Sequence, residues 1–245
     1  MKLNLLIGTL LLFVVGKGLL SLLVKKVSLS ESTIIKKKYY GWIPISAVFF
    51  LMLFAPRIVG ATFFSFILVW GLIQISIVIN RLRNFDAIGI FILLLLYGSS
   101  LAFYAYANVP LWLFIFVIFG CAFADITAYS FAKLSLNTHR LPASINKEKT
   151  LEGILGEMTG PFLALIFLWL CGITEVVTIQ GIIIAVAIGI GATAGDLLNS
   201  VAKRRFMIKD WGNFLGHGGV LDRFSSIFMA LTLVAILWTQ FGYLL

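Results

Sequence analysis

The segment Gly195–Ser226 combines the residue types that phosphate chemistry requires. It holds three aspartates, five lysines or arginines, one histidine and five glycines. Carboxylates bind Mg²⁺ together with phosphate oxygens of a substrate. Lysine and arginine neutralise phosphate oxygens, and glycines let backbone N–H groups approach an anion closely. We therefore expect this segment to handle phosphate groups; the alternative is a basic loop at the lipid headgroups.

Carboxylates also occur inside or at the ends of apolar runs, at Asp125, Glu157 and Asp196. A carboxylate in hydrocarbon costs at least ~2.5 kcal/mol, so such residues usually face a cavity and serve a function. For Asp125 the alternative is a buried helix hydrogen bond, and for Glu157 it is a helix–helix contact. All three lie toward the side that carries the two long loops 132–152 and 199–223, which predicts a polar site there.

The elements that position these residues follow from composition. The chain has 245 residues, of which 61% are hydrophobic and 12% are charged, against about 25% charged residues in soluble domains. This excludes an ordinary soluble globule and a disordered chain. It predicts an all-α, polytopic integral membrane protein with about eight transmembrane helices. The apolar runs place these helices near 4–23, 42–55, 58–79, 87–107, 110–131, 153–172, 178–198 and 224–244.

The predicted helices form an N-terminal transmembrane region, 1–110, and a C-terminal transmembrane catalytic region, 111–245, with the loops 132–152 and 199–223. Of the 19 basic residues, 16 lie on alternate loops. By the positive-inside rule those loops are cytoplasmic. We therefore expect a catalytic site that faces the cytoplasm and both termini on the outer side.

The net charge of +9 is explained by these loops and does not indicate nucleic acid binding. Cys121 and Cys171 lie far apart in apolar runs, so neither a disulfide framework nor a CxxC motif is expected. The stretch Leu3–Val24 lacks a small-residue cleavage site before Lys25-Lys26. It is predicted to be a first membrane helix and not a signal peptide.

The polar segment resembles the signature of phosphatidate cytidylyltransferases, also called CDP-diacylglycerol synthases. That signature runs S-x-x-K-R, four residues, K-D, then H-G-G-x-x-D-R-x-D, and a Gly-Asp pair precedes it. The matching residues here are Gly195, Asp196, Ser200, Lys203, Arg204, Lys209, Asp210, His217, Gly218, Gly219, Asp222 and Arg223.

A second block of the same family has Asp-x-x-Ala-Tyr followed later by Lys-Thr-x-Glu-Gly. The matching residues are Asp125, Ala128, Tyr129, Lys149, Thr150, Glu152 and Gly153. The two blocks occur in the family's order, and the resemblance covers about residues 120–230.

The chain departs from the family pattern at several points. The gap before His217 is one residue shorter, and Ser225 replaces the last acid of the signature. Asn146-Lys147 stands where the family has Ser-Pro, and Ala132-Lys133 where it has Gly-Arg. These differences indicate a divergent paralogue.

The resemblance implies a nucleotidyltransferase that transfers CMP from CTP to phosphatidate or a related lipid phosphate. The products are CDP-diacylglycerol and pyrophosphate, and the implied cofactor is a divalent cation, Mg²⁺. The implied setting is the cell (inner) membrane, with membrane lipids as neighbours and no nucleic acid partner; a homodimer is left open.

Within this resemblance each polar residue receives an expected role. The metal ligands are Asp196 and Asp222. The residues expected to act on phosphates are Lys203, Arg204, Lys209 and Arg223, with Asp210 as a weaker ligand or an orienting partner of Lys209, and His217 as a hydrogen-bond donor to phosphate or ribose. The residues expected to bind substrate are Asp125, Tyr129, Lys149, Thr150, Glu152, Ser200, Gly218 and Gly219, with Glu152 pairing with a lysine and Tyr129 stacking or packing in the core.

Three other functions stay open from the sequence. The first is another CTP-dependent lipid enzyme, such as a polyprenol kinase or an archaeal-type lipid cytidylyltransferase. The second is a transporter that uses buried acids, although the acids here cluster toward one side and no internal repeat is visible. The third is an inactive membrane paralogue, which the loss of the acid at Ser225 motivates.

Overall fold

We describe the protein from a computed structural model. The structure describes residues 2–24, 56–82, 109–135, 139–142, 145–146, 149–212 and 219–241, with scattered positions between 32 and 54. Every regular element in this part of the chain is helical, as predicted. A single antiparallel bridge, between Arg140 and Thr150, lies outside the helices.

Six helices of at least 20 residues are described, together with one short 3-10 turn. They are α1 (Lys2–Val24), α2 (Arg57–Leu82), α3 (Leu111–Leu134), α4 (Leu151–Leu170), the turn Thr174–Val176, α5 (Ile179–Arg205) and α6 (Val220–Phe241). Among the described residues, α3, α4 and α5 are long and apolar enough to cross a membrane. The predicted span 87–107 lies outside the described residues and 42–55 largely so; the total of eight spans stays a prediction.

The described residues group into two units, 1–65 and 66–245. In the first unit, Leu5 is buried and the Lys2 ammonium donates to the backbone oxygen of Leu53, 2.6 Å away. The second unit contains α3 to α6 and all of the candidate site residues. The predicted division after residue 110 stays a prediction.

Local sequence sets where the central helices begin. Pro110 precedes α3, and proline is well suited to the start of a helix because it has no N–H to satisfy. Thr150 and Thr178 cap α4 and α5, each accepting a hydrogen bond from the backbone N–H three residues later, at Gly153 and Gly181, at 3.1 Å. These caps satisfy N–H groups that the helix itself leaves free.

Glycines allow the helices of the second unit to pack closely. A methyl group at Gly160 of α4 would overlap backbone atoms of Ala124 on α3. The Thr127 hydroxyl of α3 donates to the Gly156 backbone oxygen of α4 at 2.6 Å. On α5, a methyl group at Gly195 would likewise overlap the Ser225 backbone of α6. Small residues at such contacts are the usual means of helix association in membranes.

Replacing Gly160 with alanine should therefore weaken the contact between α3 and α4. The expected cost is about 1–3 kcal/mol, which is typical of atoms added to a packed interface, and it should appear as a lower thermal midpoint of the detergent-solubilised protein. The control is Gly18→Ala on α1, where nothing lies within 4 Å of the added methyl group. Equal midpoints for the two variants would contradict this packing.

Candidate functional site

The candidate site is built along one face of α5. Asp196, Asn199, Ser200 and Lys203 recur at helical spacing, so their side chains share a face of the helix. The connection between α5 and α6 is shorter than the predicted loop 199–223, because α5 continues to Arg205 and α6 begins at Val220. Three basic residues end α5, where cations interact favourably with the free carbonyls of the last turn.

Asp196 belongs to a cluster of three carboxylates contributed by three helices. Asp125 of α3, Glu157 of α4 and Asp196 of α5 each offer an oxygen atom, and these atoms lie within 4.8 Å of one another. Glu157 is only 2% exposed, Asp196 is half-buried and Asp125 is exposed. We call these three residues the carboxylate cluster.

Lys149 supplies positive charge to the carboxylate cluster. Its ammonium nitrogen lies 2.8 Å from Asp196 Oδ2 and 3.7 Å from Glu157 Oε2. Burial by itself lowers the pKa of Lys149, but the carboxylates of Asp196 and Glu157 raise it by more, so the net shift is upward. Lys149 therefore stays protonated at neutral pH and balances part of the negative charge.

A short hairpin-like segment before α4 positions Lys149. The N–H of Leu141 donates to the Lys149 backbone oxygen, and the N–H of Leu151 donates to that of His139, both at 2.9 Å. The Asn146 amide donates to the Ser200 hydroxyl of α5 at 3.3 Å. The segment is therefore joined to α5 at two places, through Lys149 and through Asn146.

The carboxylate cluster has the chemistry of a divalent cation site. Its donors are all hard oxygen atoms, which magnesium and calcium prefer. When the three carboxylates are ionised they carry three negative charges against one positive charge on Lys149, so two negative charges remain. The Ser226 hydroxyl of α6 donates to Asp196 Oδ1 and fixes its orientation. These residues fit a divalent cation.

Asp222 forms a second set of contacts, with Lys203 and the loop residues that precede α6. Lys203 lies 2.6 Å from Asp222 Oδ1, and the backbone N–H groups of Trp211 and Gly219 donate to Oδ2 at 3.0 and 2.7 Å. The structure does not bring Asp222 into the carboxylate cluster. Its role as a metal ligand stays a prediction, and the described geometry gives it an organising role.

The remaining residues of the second family block are placed as follows. Thr150 is buried as the cap of α4, and Tyr129 is exposed on α3, one turn from Asp125. Glu152 contacts His139, whose backbone N–H and Nδ1 lie 3.1 and 2.7 Å from its carboxylate. The described partner of Glu152 is therefore His139, which the bridge before α4 brings to the first turn of that helix, and its pairing with a lysine stays a prediction.

The other described residues of the signature lie in or after the last turn of α5 and before or in the first turn of α6. Arg204 is half-buried, Lys209 and Asp210 are exposed, and Gly219 is buried. Arg223 lies in the first turn of α6, but its side chain is outside the described part of the structure, as are His217 and Gly218.

Glu157 was predicted only as a carboxylate near a polar site, with a helix–helix contact as the alternative. Three further residues of the site were not predicted from the sequence: Asn146, Asn199 and Ser226. Asn199 shares a helix face with Asp196, so helical spacing could have indicated it. The contacts of Asn146 and Ser226 depend on how segments distant in sequence pack together, so no local sequence pattern predicts them.

The model of a family described as "Cytidylyltransferase family" matches residues 3–241, and the chain belongs to this family. No solved structure matches the chain significantly.

Relatives named phosphatidate cytidylyltransferase match parts of the chain. The protein of Staphylococcus saprophyticus is 36% identical over 127 residues, covering 47% of this chain and 45% of the relative. The protein of Staphylococcus haemolyticus is 32% identical over 154 residues, covering 58% of this chain and 51% of the relative. The protein of Bacillus subtilis is 27% identical over 177 residues, covering 70% of this chain and 65% of the relative. The chain thus spans about half the length of the first of these relatives.

Replacing Lys149 with methionine should strengthen the binding of a divalent cation to the carboxylate cluster. The lysine ammonium occupies the same negative field that would hold the ion, and two positive charges a few ångströms apart repel each other. We expect the Kd for Mn²⁺, measured by electron paramagnetic resonance without nucleotide, to fall at least ~3-fold.

The matched control for this measurement is Lys133→Met, which removes an exposed lysine at the end of α3. It should leave the Kd for Mn²⁺ unchanged. Weaker Mn²⁺ binding in Lys149→Met would show instead that the lysine is needed to hold the carboxylates together.

Proposed function

We propose that this member of the cytidylyltransferase family transfers CMP from CTP to phosphatidate, forming CDP-diacylglycerol and releasing pyrophosphate. The observation that carries the proposal is the carboxylate cluster with Lys149; the three carboxylates lie in three apolar helices long enough to cross a membrane, six to nine residues from a helix end. A site in this position can reach a lipid headgroup and a water-soluble nucleotide at once. The names of the relatives support the same substrates.

The chemistry of this reaction suits a site without a general base. The second pKa of a phosphate monoester is about 6, so the attacking lipid phosphate is already largely dianionic at pH 7. The obstacle is repulsion between two polyanions. Positioning and electrostatic stabilisation must overcome it.

Asp125, Glu157 and Asp196 would hold the divalent cation, for which we propose Mg²⁺. When bound, Mg²⁺ would neutralise charge on phosphate oxygens. Ser226 would keep Asp196 oriented through the hydrogen bond that its hydroxyl already donates.

The basic residues around α5 would bind the phosphates. Lys149 can exchange its contact with Asp196 for one with a phosphate oxygen, because both partners are anionic and the lysine stem is flexible. Lys203 is held by Asp222 and would present its charge at the end of α5. Arg204, Lys209 and Arg223 lie in the same part of the chain and would contact the remaining phosphate oxygens.

The decisive assay uses the purified protein with CTP, phosphatidate and Mg²⁺. With CTP labelled at the α-phosphate, the label should appear in the lipid product; with CTP labelled at the γ-phosphate, it should appear in pyrophosphate. Transfer of the γ-label to lipid would show a kinase instead, and no transfer would favour an inactive paralogue.

Asp196→Asn should reduce cytidylyl transfer at least ~100-fold, because it removes a charge from the carboxylate cluster while keeping the side chain's size. The control is Glu175→Gln, an exposed carboxylate in the turn between α4 and α5. Near-normal turnover of Asp196→Asn in a folded protein would contradict the assignment of the site.

The basic loops support a site that faces the cytoplasm of the cell membrane. The α4 helix has 20 residues, enough to cross the hydrocarbon core, and Arg140 and Glu175 flank its opposite ends. In a variant without Cys121 and Cys171, Glu175→Cys should react with an impermeant thiol reagent in intact cells. Arg140→Cys should react only after the cells are opened, and labelling of Arg140→Cys in intact cells would reverse the orientation.

A further inference from the structure

Asp222 ties together two residues that are eight positions apart in the chain. Its Oδ2 atom accepts hydrogen bonds from the backbone N–H groups of Trp211 and Gly219. We call Trp211, Gly212 and Gly219 the neck, because the N–H groups of Trp211 and Gly219 converge on one carboxylate oxygen of Asp222.

The neck is joined firmly to α5. The Trp211 indole N–H donates to the Asn199 side-chain oxygen at 2.7 Å, and Lys203 pairs with Asp222 at 2.6 Å. Trp211 also packs in a buried cluster with Phe206 and Leu221. One side of the neck is therefore fixed by polar bonds and apolar contacts to residues that the family signature covers or adjoins.

The other side of the neck meets α2, which lies outside the signature. Ile75 of α2 is buried in the same cluster as Trp211, and Val78 packs against it. Gln74, the residue before Ile75, places its amide against both ends of the neck. A methyl group at Gly212 would come within 2.8 Å of Gln74 Nε2, and one at Gly219 within 2.8 Å of Gln74 Oε1.

This arrangement explains why positions 212 and 219 of the neck are both glycine. A side chain at Gly219 would also come within 2.8 Å of the Trp211 Cβ and 3.1 Å of the Gly212 nitrogen, so the two ends could no longer approach each other. The space that two Cβ atoms would take is filled by one side-chain amide. An amide offers a donor and an acceptor in one plane, which suits a position between two backbone segments.

We propose that Gln74 is a positioning residue that closes the neck and holds Gly219 and Asp222, and through Asp222 the ammonium of Lys203, in place. The inference rests on the proposed function only for its effect on catalysis. Its structural part, a neck closed by Gln74, can be tested without any substrate.

Hydrogen–deuterium exchange of the substrate-free protein tests the structural part. In Gln74→Leu, which keeps the bulk of the side chain but not its amide, the backbone N–H groups of Trp211 and Gly219 should exchange at least ~10-fold faster. Gly212→Ala should have the same effect by displacing the amide. Gln74→Glu retains an acceptor oxygen and should fall between the wild type and Gln74→Leu. Unchanged exchange in both Gln74→Leu and Gly212→Ala would overturn the proposal.

The matched control is Ser76→Ala on the same helix, where the exposed hydroxyl bonds only within α2, to the Leu72 oxygen. It should leave exchange and activity unchanged.

Steady-state kinetics test the effect on catalysis. In Gln74→Leu the KM for CTP should rise about 5-fold, because the ammonium of Lys203 is less well positioned for a phosphate, while the Kd for Mn²⁺ stays unchanged, because the carboxylate cluster is not touched. Faster exchange with an unchanged KM for CTP would overturn the positioning role. Absence of cytidylyl transfer in the wild type would refute the proposed function, while the exchange result would still decide whether Gln74 closes the neck.

Discussion

The second unit depends on the need to compensate three carboxylates that lie within apolar helices. Each charge is costly in a poorly solvated place unless a partner of opposite sign lies close to it. Lys149 meets this need for Asp196 and Glu157, but it leaves two negative charges uncompensated when all three acids are ionised. A divalent cation would neutralise these two charges. The same ion would serve both the stability of the cluster and the proposed reaction.

Close helix packing is what makes that cluster so compact. Asp125, Glu157 and Asp196 come from three different helices, and their oxygens lie within 4.8 Å of one another. At Gly156 and Gly160 of α4 an added methyl group would overlap backbone atoms of α3, so these glycines allow the two helices to pack closely. Thr127 adds a hydrogen bond between α3 and α4 beside the cluster. The small residues near the acids therefore contribute to the site by allowing the helices that carry the acids to pack closely.

The positions of the helices and of their polar residues could largely be predicted from the sequence, but the contacts between helices could not. Apolar runs located α1 to α6 to within four residues except at the end of α5, which continues seven residues further, to Arg205. The cost of charge in an apolar run indicated Asp125, Glu157 and Asp196 as candidate functional residues. The contact of Glu152 with His139 and the pairing of Asp222 with Lys203 could not be predicted, because they join segments separated in the sequence. Gln74 illustrates the same limit, because nothing in the composition of α2 shows that it meets residues more than 130 positions away.

The serine at position 225 fits the charge balance of this site. Ser225 is fully buried on α6, and its backbone packs against Gly195, the neighbour of Asp196. An acid at that position, as in the family signature, would add a carboxylate next in sequence to Ser226, whose hydroxyl donates to Asp196. With serine at 225, the next residue, Ser226, still supplies a neutral hydrogen bond to Asp196. The substitution therefore leaves three carboxylates and one lysine, a net charge that a single divalent cation can neutralise.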